Sequence, residues 1–217
     1  MAPAPSRRGT SSRRGTPARR GENYGGRSRQ ERASDRRARI IAAAVHLFGT
    51  RDYDDVTVAD VCAGAKVSKR YFYEHFTDRE DLLLIVHHEQ NNWLLAQVAG
   101  AAPRNATTAT ELMRPMMRTL IAKLLEDPER ARVIYVNAPR METRRRGVLR
   151  EDAQHFAPLV KLFVGDPVDQ RRQERTLLAL IAGISEVIID WISRDMDEDP
   201  DVLADHLTWI AAHLLVS

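Results

Sequence analysis

The residues with the clearest chemical purpose lie between Thr57 and Phe76, where cations alternate with aromatic side chains. Phe72 and Phe76 are four residues apart, so on a short helix beginning after Ser68 they share one inward face. The side chains left to point outward from that helix are Lys69, Arg70, Tyr71 and Tyr73. Cations and aromatic rings on one exposed helix face suit contact with a groove of DNA.

Two short helices and a tight turn are predicted to hold this face. Thr57, with Asp60 three residues later, has the spacing of a capping box and starts the first helix. Lys66 lies in the turn, and Ser68 is a candidate N-cap for the second helix. The pattern is typical of a helix-turn-helix.

A further amphipathic helix is predicted to precede the motif. Its apolar residues recur at three-to-four spacing and its pattern ends near Gly49. Ser34 is a candidate N-cap, and Asp35 in the first turn suits the positive end of the helix dipole.

The N-terminus is strongly basic. Residues 1–37 hold eleven arginines, no lysine and three acids, whereas the remaining residues hold 22 basic and 27 acidic side chains. Residues 1–33 have almost no apolar side chains to bury, so we expect them to form a disordered basic arm. Such an arm suits contact with DNA phosphates, although a solubilising tail would have the same composition.

The rest of the chain is predicted to be helical. Three Asp-Pro pairs mark helix starts, because Asp caps a helix and Pro fits its first position. The pairs are Asp127-Pro128, Asp166-Pro167 and Asp199-Pro200, and they predict helices over 129–137, 168–195 and 200–216, with others near 105–126 and 144–164. No segment shows the alternation of a strand. The fold is therefore predicted to be all-α with about nine helices, divided into a helix-turn-helix domain over 34–80 and a second domain over 81–217.

Several function classes are excluded or disfavoured. The single cysteine, Cys62, excludes a disulfide framework and a cysteine zinc site, and it favours a cytoplasmic protein. The longest apolar stretch, residues 176–192, contains Glu186 and Asp190, which argues against a membrane span. No catalytic motif or metal-ligand spacing occurs, so no catalytic residue, metal or cofactor is predicted.

One set of residues carries a resemblance to a known family. The set is Leu47-Phe48, Val56-Thr57-Val58, Val61, Ala65, Val67-Ser68, Tyr73, His75-Phe76 and residues 78–82. Over residues 39–84 the chain resembles the TetR family of bacterial transcriptional regulators. That family usually has glycine where Lys66 stands. A left-handed residue other than glycine costs about 1 kcal/mol, so we expect the turn to survive.

The resemblance implies which residues contact DNA. By matching position they are Thr57, Ser68, Lys69, Arg70, Tyr71, Tyr73, His75 and Arg79. Arg79 would bind phosphate at the start of the fourth helix, and Tyr73 would help to position the backbone. Arg70 is the first choice for a base contact, because arginine reads guanine by paired hydrogen bonds.

The second domain offers a dimer face and a candidate ligand pocket. On the last helix, one apolar stripe contains Leu203 and Leu207, and a second stripe lies one position back. Two faces on one helix imply two surfaces to bury, a core and a partner subunit. The predicted interface residues are Trp191, His206, Trp209 and His213. The predicted pocket residues, which suit an apolar small molecule, are Trp93, Met113, Met116, Met117 and Tyr135.

These observations favour a homodimeric, ligand-responsive DNA-binding regulator, specifically a repressor released from a palindromic operator by a small molecule. Two alternatives stay open. One is a small all-helical enzyme with an apolar pocket, and the other is a DNA binder that responds to no ligand.

Overall fold

The computed structural model describes residues 28–137, 147, 149–154, 156–158, 161 and 169–216 of the 217-residue chain. The chain divides into two units, Met1–Asp35 and Arg36–Ser217, and of the first only the start of α1 is described. All regular structure in the described residues is helical, which confirms the all-α prediction.

Eight α-helices have defined ends in this part of the chain. They are α1 (Arg29–Thr50), α2 (Val58–Ala65), α3 (Lys69–Tyr73), α4 (Arg79–Gly100), α5 (Ala109–Glu126), α6 (Pro128–Arg132), α7 (Gln170–Ser193) and α8 (Pro200–Val216). A 3-10 turn, Tyr53–Asp55, lies between α1 and α2. A π-helical segment, Val133–Asn137, follows α6 directly, where the sequence predicted one α-helix over 129–137. Residues 149–154 and 156–158 are also helical.

The first helix begins earlier than predicted. The Ser28 N–H donates to the Glu31 carboxylate, and the Glu31 N–H donates to the Ser28 hydroxyl at 3.1 Å. This reciprocal capping box starts the helix at Arg29, so the prediction that Ser34 caps it is wrong. Residues 29–33, which were predicted to belong to the disordered arm, are therefore part of α1. Residues 1–27 lie outside the described residues, and the disorder and DNA contact of the arm stay predictions.

The Asp-Pro rule holds where it can be observed. Asp127 caps α6, with Pro128 as its first residue, and Asp199 accepts hydrogen bonds from the first backbone amides of α8. Asp166 and Pro167 lie outside the described residues, and α7 is capped by Asp169. α6, α7 and α8 therefore begin where an Asp side chain can satisfy the free amides of the first turn.

Two apolar cores hold the described helices together. The first, the N-terminal core, joins α1, α2, α3 and the start of α4, and its largest buried members are Ile40, Phe48, Phe72, Phe76, Leu82 and Leu83. The second, the body core, joins α5, α7 and α8 to the rest of α4. Its members include Leu94, Met116, Leu124, Ile188, Trp191 and Leu207. We call the helices around this second core the body.

The helix α7 is long and apolar enough to cross a membrane by length and composition alone. A core helix passes the same test, and Leu177, Ile184 and Ile188 of α7 are buried inside the chain. Only 33% of its most apolar window is buried within one chain. The remaining large apolar side chains of α7, such as Leu178, Ile181 and Ile189, are half-buried rather than exposed.

α1 packs closely against α6 at Gly49. A Cβ atom on Gly49 would lie 2.5 Å from the Cβ of Glu129 on α6, closer than packed side chains tolerate. Gly49→Ala should therefore lower the free energy of unfolding by about 1–3 kcal/mol, because α6 must move away. Urea denaturation of both proteins measures the difference.

Gly100→Ala is the matched control, since a Cβ atom there meets nothing within 4 Å. Its stability should differ from wild type by less than about 1 kcal/mol. Equal stability of the two variants would contradict the close packing of α6 on α1.

Candidate nucleic-acid interface

The helix-turn-helix forms as the capping pattern predicts. The Thr57 hydroxyl accepts from the Asp60 N–H while the Asp60 carboxylate accepts from the Thr57 N–H. The carboxylate also accepts from the Thr57 hydroxyl, and this bond, together with the one from the Thr57 N–H, lowers the pKa of Asp60. α2 ends at Lys66, whose φ of 54° and ψ of 47° are left-handed. The Lys66 N–H donates to Ala63 and Cys62 carbonyls, so the turn survives without glycine, as expected.

Two buried phenylalanines orient α3. Phe72 is fully buried, Phe76 is 2% exposed, and their ring centroids are 5.5 Å apart. Both belong to the N-terminal core, so the inward side of α3 is fixed by its packing. The predicted contact residues on the opposite side of α3, Ser68, Lys69, Arg70, Tyr71 and Tyr73, are all exposed.

Arg70 and Tyr73 both present accessible polar groups on this face. The Arg70 side chain is 86% exposed and pairs with Glu74 at 3.6 Å, a surface ion pair of little strength. Tyr73 is 58% exposed, and its ring packs edge-on against Phe72 at 5.2 Å. Tyr73 therefore has a supported ring beside an accessible hydroxyl, and Arg70 can exchange Glu74 for another acceptor.

His75 lies at the edge of this face. Its ring is half-buried, 6.2 Å from the Phe76 ring, and its Nε2 is buried without a hydrogen-bond partner among the described residues. The shielded Nε2 could not reach a phosphate in this conformation. The predicted backbone contact of His75 would have to use its other ring nitrogen.

Arg79 is engaged inside the protein. Its guanidinium donates through Nη1 to the carbonyls of Tyr53 at 3.1 Å and Val56 at 2.7 Å, and it lies 4.0 Å from the centre of the Tyr53 ring. It also lies 4.0 Å from the Asp54 carboxylate. Arg79 therefore holds the segment between α1 and α2, and its predicted phosphate contact stays a prediction.

Arg36 is not among the predicted contact residues, although it lies against α3. We call α3, the second helix of the helix-turn-helix, the recognition helix. The Arg36 guanidinium stacks 4.2 Å from the centre of the Tyr71 ring, a cation–π contact. Its Nε is buried without a partner among the described residues. The sequence pattern assigned Arg36 to the basic N-terminus, and only the path of α1 past α3 brings it to this face.

The predicted pocket residues separate in the structure. Met113, Met116 and Met117 are buried in the body core. Trp93 is not with them, because it is 37% exposed and covered by the Arg130 guanidinium at 3.9 Å, so its pocket assignment is wrong. A cation–π contact at the surface explains the position of Trp93.

Tyr135 lies instead beside a group of buried polar side chains, which we call the polar cluster. Asn91 of α4 donates to the Asp152 carboxylate at 2.7 Å, and His87 lies one turn before Asn91 on the same face of α4. Burial raises the pKa of Asp152 to about 6, while burial and the charge of Asp152 raise the pKa of Tyr135. Burial lowers the pKa of His87 to about 4, and its Nδ1 has no partner among the described residues. These groups are costly to bury, and the sequence pattern gave no reason to group them.

A cleft of about 230 Å³ opens on the other side of the segment that holds Asp152. Its lining residues are Arg150, Ala153, Gln154, Ala157, Glu174, Arg175, Leu177 and Leu178. None of the predicted pocket residues lines it. Within the described part of the chain, no group of three His, Cys, Asp or Glu side chains could hold a metal ion.

The predicted interface residues also lie in two different environments, the surface of α8 and the body core. His206, Trp209 and His213 are exposed on α8, with Trp209 58% exposed and its ring 4.5 Å from the ring of His213. Leu207, on the opposite side of α8, is fully buried. Trp191 is 2% exposed in the body core, so its assignment to a partner interface is wrong. The large ring fills the interior of the subunit instead.

Comparison with known proteins identifies the helix-turn-helix. A sequence model of the family described as "Bacterial regulatory proteins, tetR family" matches residues 40–86. The HTH-type transcriptional regulator EthR of Mycolicibacterium smegmatis is 37% identical over 60 residues, which are 28% of this chain and 28% of EthR. The match thus spans less than a third of the length of that relative.

Solved structures resemble the whole described fold. A tetR-family transcriptional regulator from Streptomyces coelicolor is 16% identical with a TM-score of 0.67, over 83% of this chain and 80% of that one. The transcriptional regulator FadR from Bacillus subtilis, solved in complex with stearoyl-CoA, is 18% identical with a TM-score of 0.57, over 81% and 97% of the two chains. Residues 40–86 thus match the TetR family of bacterial regulatory proteins, and the described fold is similar to that of solved TetR-family regulators.

Proposed function

We propose that the protein is a homodimeric regulator of transcription that binds a palindromic operator in the cytoplasm and releases it when a small molecule binds the body. The observation that carries the DNA-binding part is the exposed face of α3. Its side chains Lys69, Arg70, Tyr71 and Tyr73 point away from the buried Phe72. A helix held rigidly from behind and cationic in front suits insertion into a major groove.

A dimer is supported by apolar side chains that one chain does not fully cover. Val202 and Trp209 on α8 are each 58% exposed, and Leu178, Ile181 and Ile189 on α7 are half-buried. Exposed apolar surface of this kind marks an interface. A twofold dimer would also present two copies of α3 to two equivalent half-sites.

Response to a small molecule is supported by the composition of the body. Three methionines lie in the body core, and the polar cluster provides an acid, an amide and an imidazole beside Tyr135. The similar protein FadR of Bacillus subtilis was solved with stearoyl-CoA, which joins a long apolar acyl chain to a large polar coenzyme part. We infer an effector whose apolar part displaces methionine side chains and whose polar part meets the polar cluster.

The base-reading role of Arg70 gives the first test of this function. Arg70→Ala should cost about 1–3 kcal/mol on the operator and relax its sequence preference, if the guanidinium makes a paired base contact. Tyr73→Phe should weaken binding evenly across sequences, because a phosphate contact carries no base information. Gel shifts on a duplex selected from random DNA, and on scrambled duplexes, separate the two effects.

Arg104→Ala is the matched control, since it removes the same charge from an exposed loop of the body. Its binding should stay at the wild-type level on both duplexes. An Arg70→Ala protein that binds both duplexes like wild type would contradict the base contact.

The dimer is tested at Trp209. Trp209→Glu places a charge in the exposed stripe of α8, so the protein should stay folded, sediment as a monomer and lose operator affinity. Sedimentation velocity and circular dichroism measure assembly and helix content. Leu125→Glu, at a leucine 37% exposed on α5, is the control and should stay dimeric. A dimeric Trp209→Glu protein would place the interface on another face.

The pH dependence of folding stability tests whether the polar cluster is buried. The native pKa of Asp152 is raised to about 6, so its contribution to stability falls as pH rises from about 4 to 6. The native pKa of His87 is lowered to about 4, so its contribution rises between about pH 4 and 6.5. Asp152→Asn should therefore make stability rise more steeply with pH, by up to about 3 kcal/mol over this window, and His87→Gln should flatten it.

Urea denaturation between pH 4 and pH 7 measures these slopes. Asp205→Asn, at an exposed carboxylate of α8, should leave the slope unchanged. Identical slopes in all four proteins would mean that the cluster is solvated.

A further inference from the structure

The π-helical segment Val133–Asn137 touches both cores of the molecule. Val133 is fully buried in the N-terminal core, whereas Ile134, the next residue, is 3% exposed in the body core. A π-helical turn is rare and is often found at functional positions. Here it places successive side chains in two different cores.

Asn137, at the end of this segment, has no exposed surface, and its side-chain amide is fully used. Its Nδ2 donates to the carbonyl of Phe48 and, at 3.2 Å, to the carbonyl of Arg51. Its Oδ1 accepts from the backbone N–H of Tyr53 at 2.9 Å. The last carbonyls of a helix have no partner within it, so a side chain from the body completes the end of α1.

Other contacts strengthen the same junction. His46 of α1 lies 3.0 Å from the Glu129 carboxylate of α6, and Arg132 lies 3.7 Å from Asp52, just after α1. Gly49 allows the α6 backbone to approach α1 without an intervening side chain. The end of α1 and the following segment are therefore held by α6 and the π segment together.

This junction is the second attachment between the recognition helix and the body, the first being the continuous helix α4. A single helix leaves the domain free to bend and twist about it, whereas two separated attachments fix its orientation. The same π segment also carries Tyr135, whose hydroxyl is buried within the electrostatic influence of Asp152. One five-residue element thus meets the polar cluster at one residue and α1 two residues later.

We propose that Asn137 is a positioning residue that sets the orientation of the helix-turn-helix relative to the body. The inference rests on the proposed DNA-binding function and deepens it by naming a residue that orients the recognition helix of each subunit on its half-site.

Half-site spacing provides a readout that a merely structural role would not change. The full-length protein is first used to select a duplex from random DNA, and versions are then made with one or two base pairs inserted at its centre. Each inserted pair shifts and rotates one half-site, so the wild-type dimer should lose at least about tenfold in affinity per pair. Asn137→Ala should lose less than about threefold per pair, because its recognition helices can reorient.

Leu112→Ala is the control for stability, because Leu112 is 5% exposed in the body core and lies near the start of α5, at the end of that helix remote from α6. It should lose stability but keep the wild-type dependence on spacing. If Asn137→Ala fails to fold, as judged by circular dichroism, Asn137→Ser keeps a hydroxyl at the junction. Arg132→Gln, which removes the ion pair with Asp52, should change spacing dependence in the same direction and by less.

Two results would overturn the inference, and they differ. Asn137 variants that keep wild-type dependence on spacing, at any overall affinity, would reduce Asn137 to a cap on α1. A wild-type protein that selects no sequence from random DNA would overturn the proposed function and this inference with it.

Discussion

The burial of Phe72 and Phe76 in the N-terminal core is the constraint on which the rest of the interface depends. α3 is only five residues long, too short to be stable by its own hydrogen bonds. Its helical form and its rotation about its own axis come from these two rings packing against the α1 core. Every outward side chain of α3 follows from that rotation, so the chemistry of the face is decided by residues that never reach the surface.

The local parts of this arrangement were predictable from the sequence because local physical chemistry governs them. The Thr57–Asp60 capping box, the left-handed Lys66 and the exposed stripe of α8 each depend on residues within one or two turns. The Phe72 and Phe76 spacing is a helix period and needs no tertiary information. Where sequence reasoning was right, the interaction lay within a single element or its cap.

Where the structure differs from the predictions, the cause is a contact between residues distant in sequence. Arg79 carries the charge of a phosphate ligand, but backbone carbonyls more than twenty positions earlier in the chain accept hydrogen bonds from its Nη1. Trp93 was predicted to line an interior pocket, but it lies at the surface under a distant arginine. Trp191 was predicted to lie at a partner interface, but the body core encloses it. The sequence analysis did not select Asn137 or Asp152, because a single amide or acid forms no periodic pattern along the chain. Each depends on a contact distant in sequence, which patterns along one chain do not contain.

The left-handed turn at Lys66 has a consequence for the evolution of this surface. Most residues avoid a φ of 54°, and glycine would adopt it without strain. Lysine keeps that strain but adds an exposed cation three residues before α3, next to the face that we propose for DNA. A change to glycine would relax the backbone and remove a positive charge from the face. Folding stability and long-range attraction for DNA are thus opposed at one position, and this chain has the residue that favours attraction.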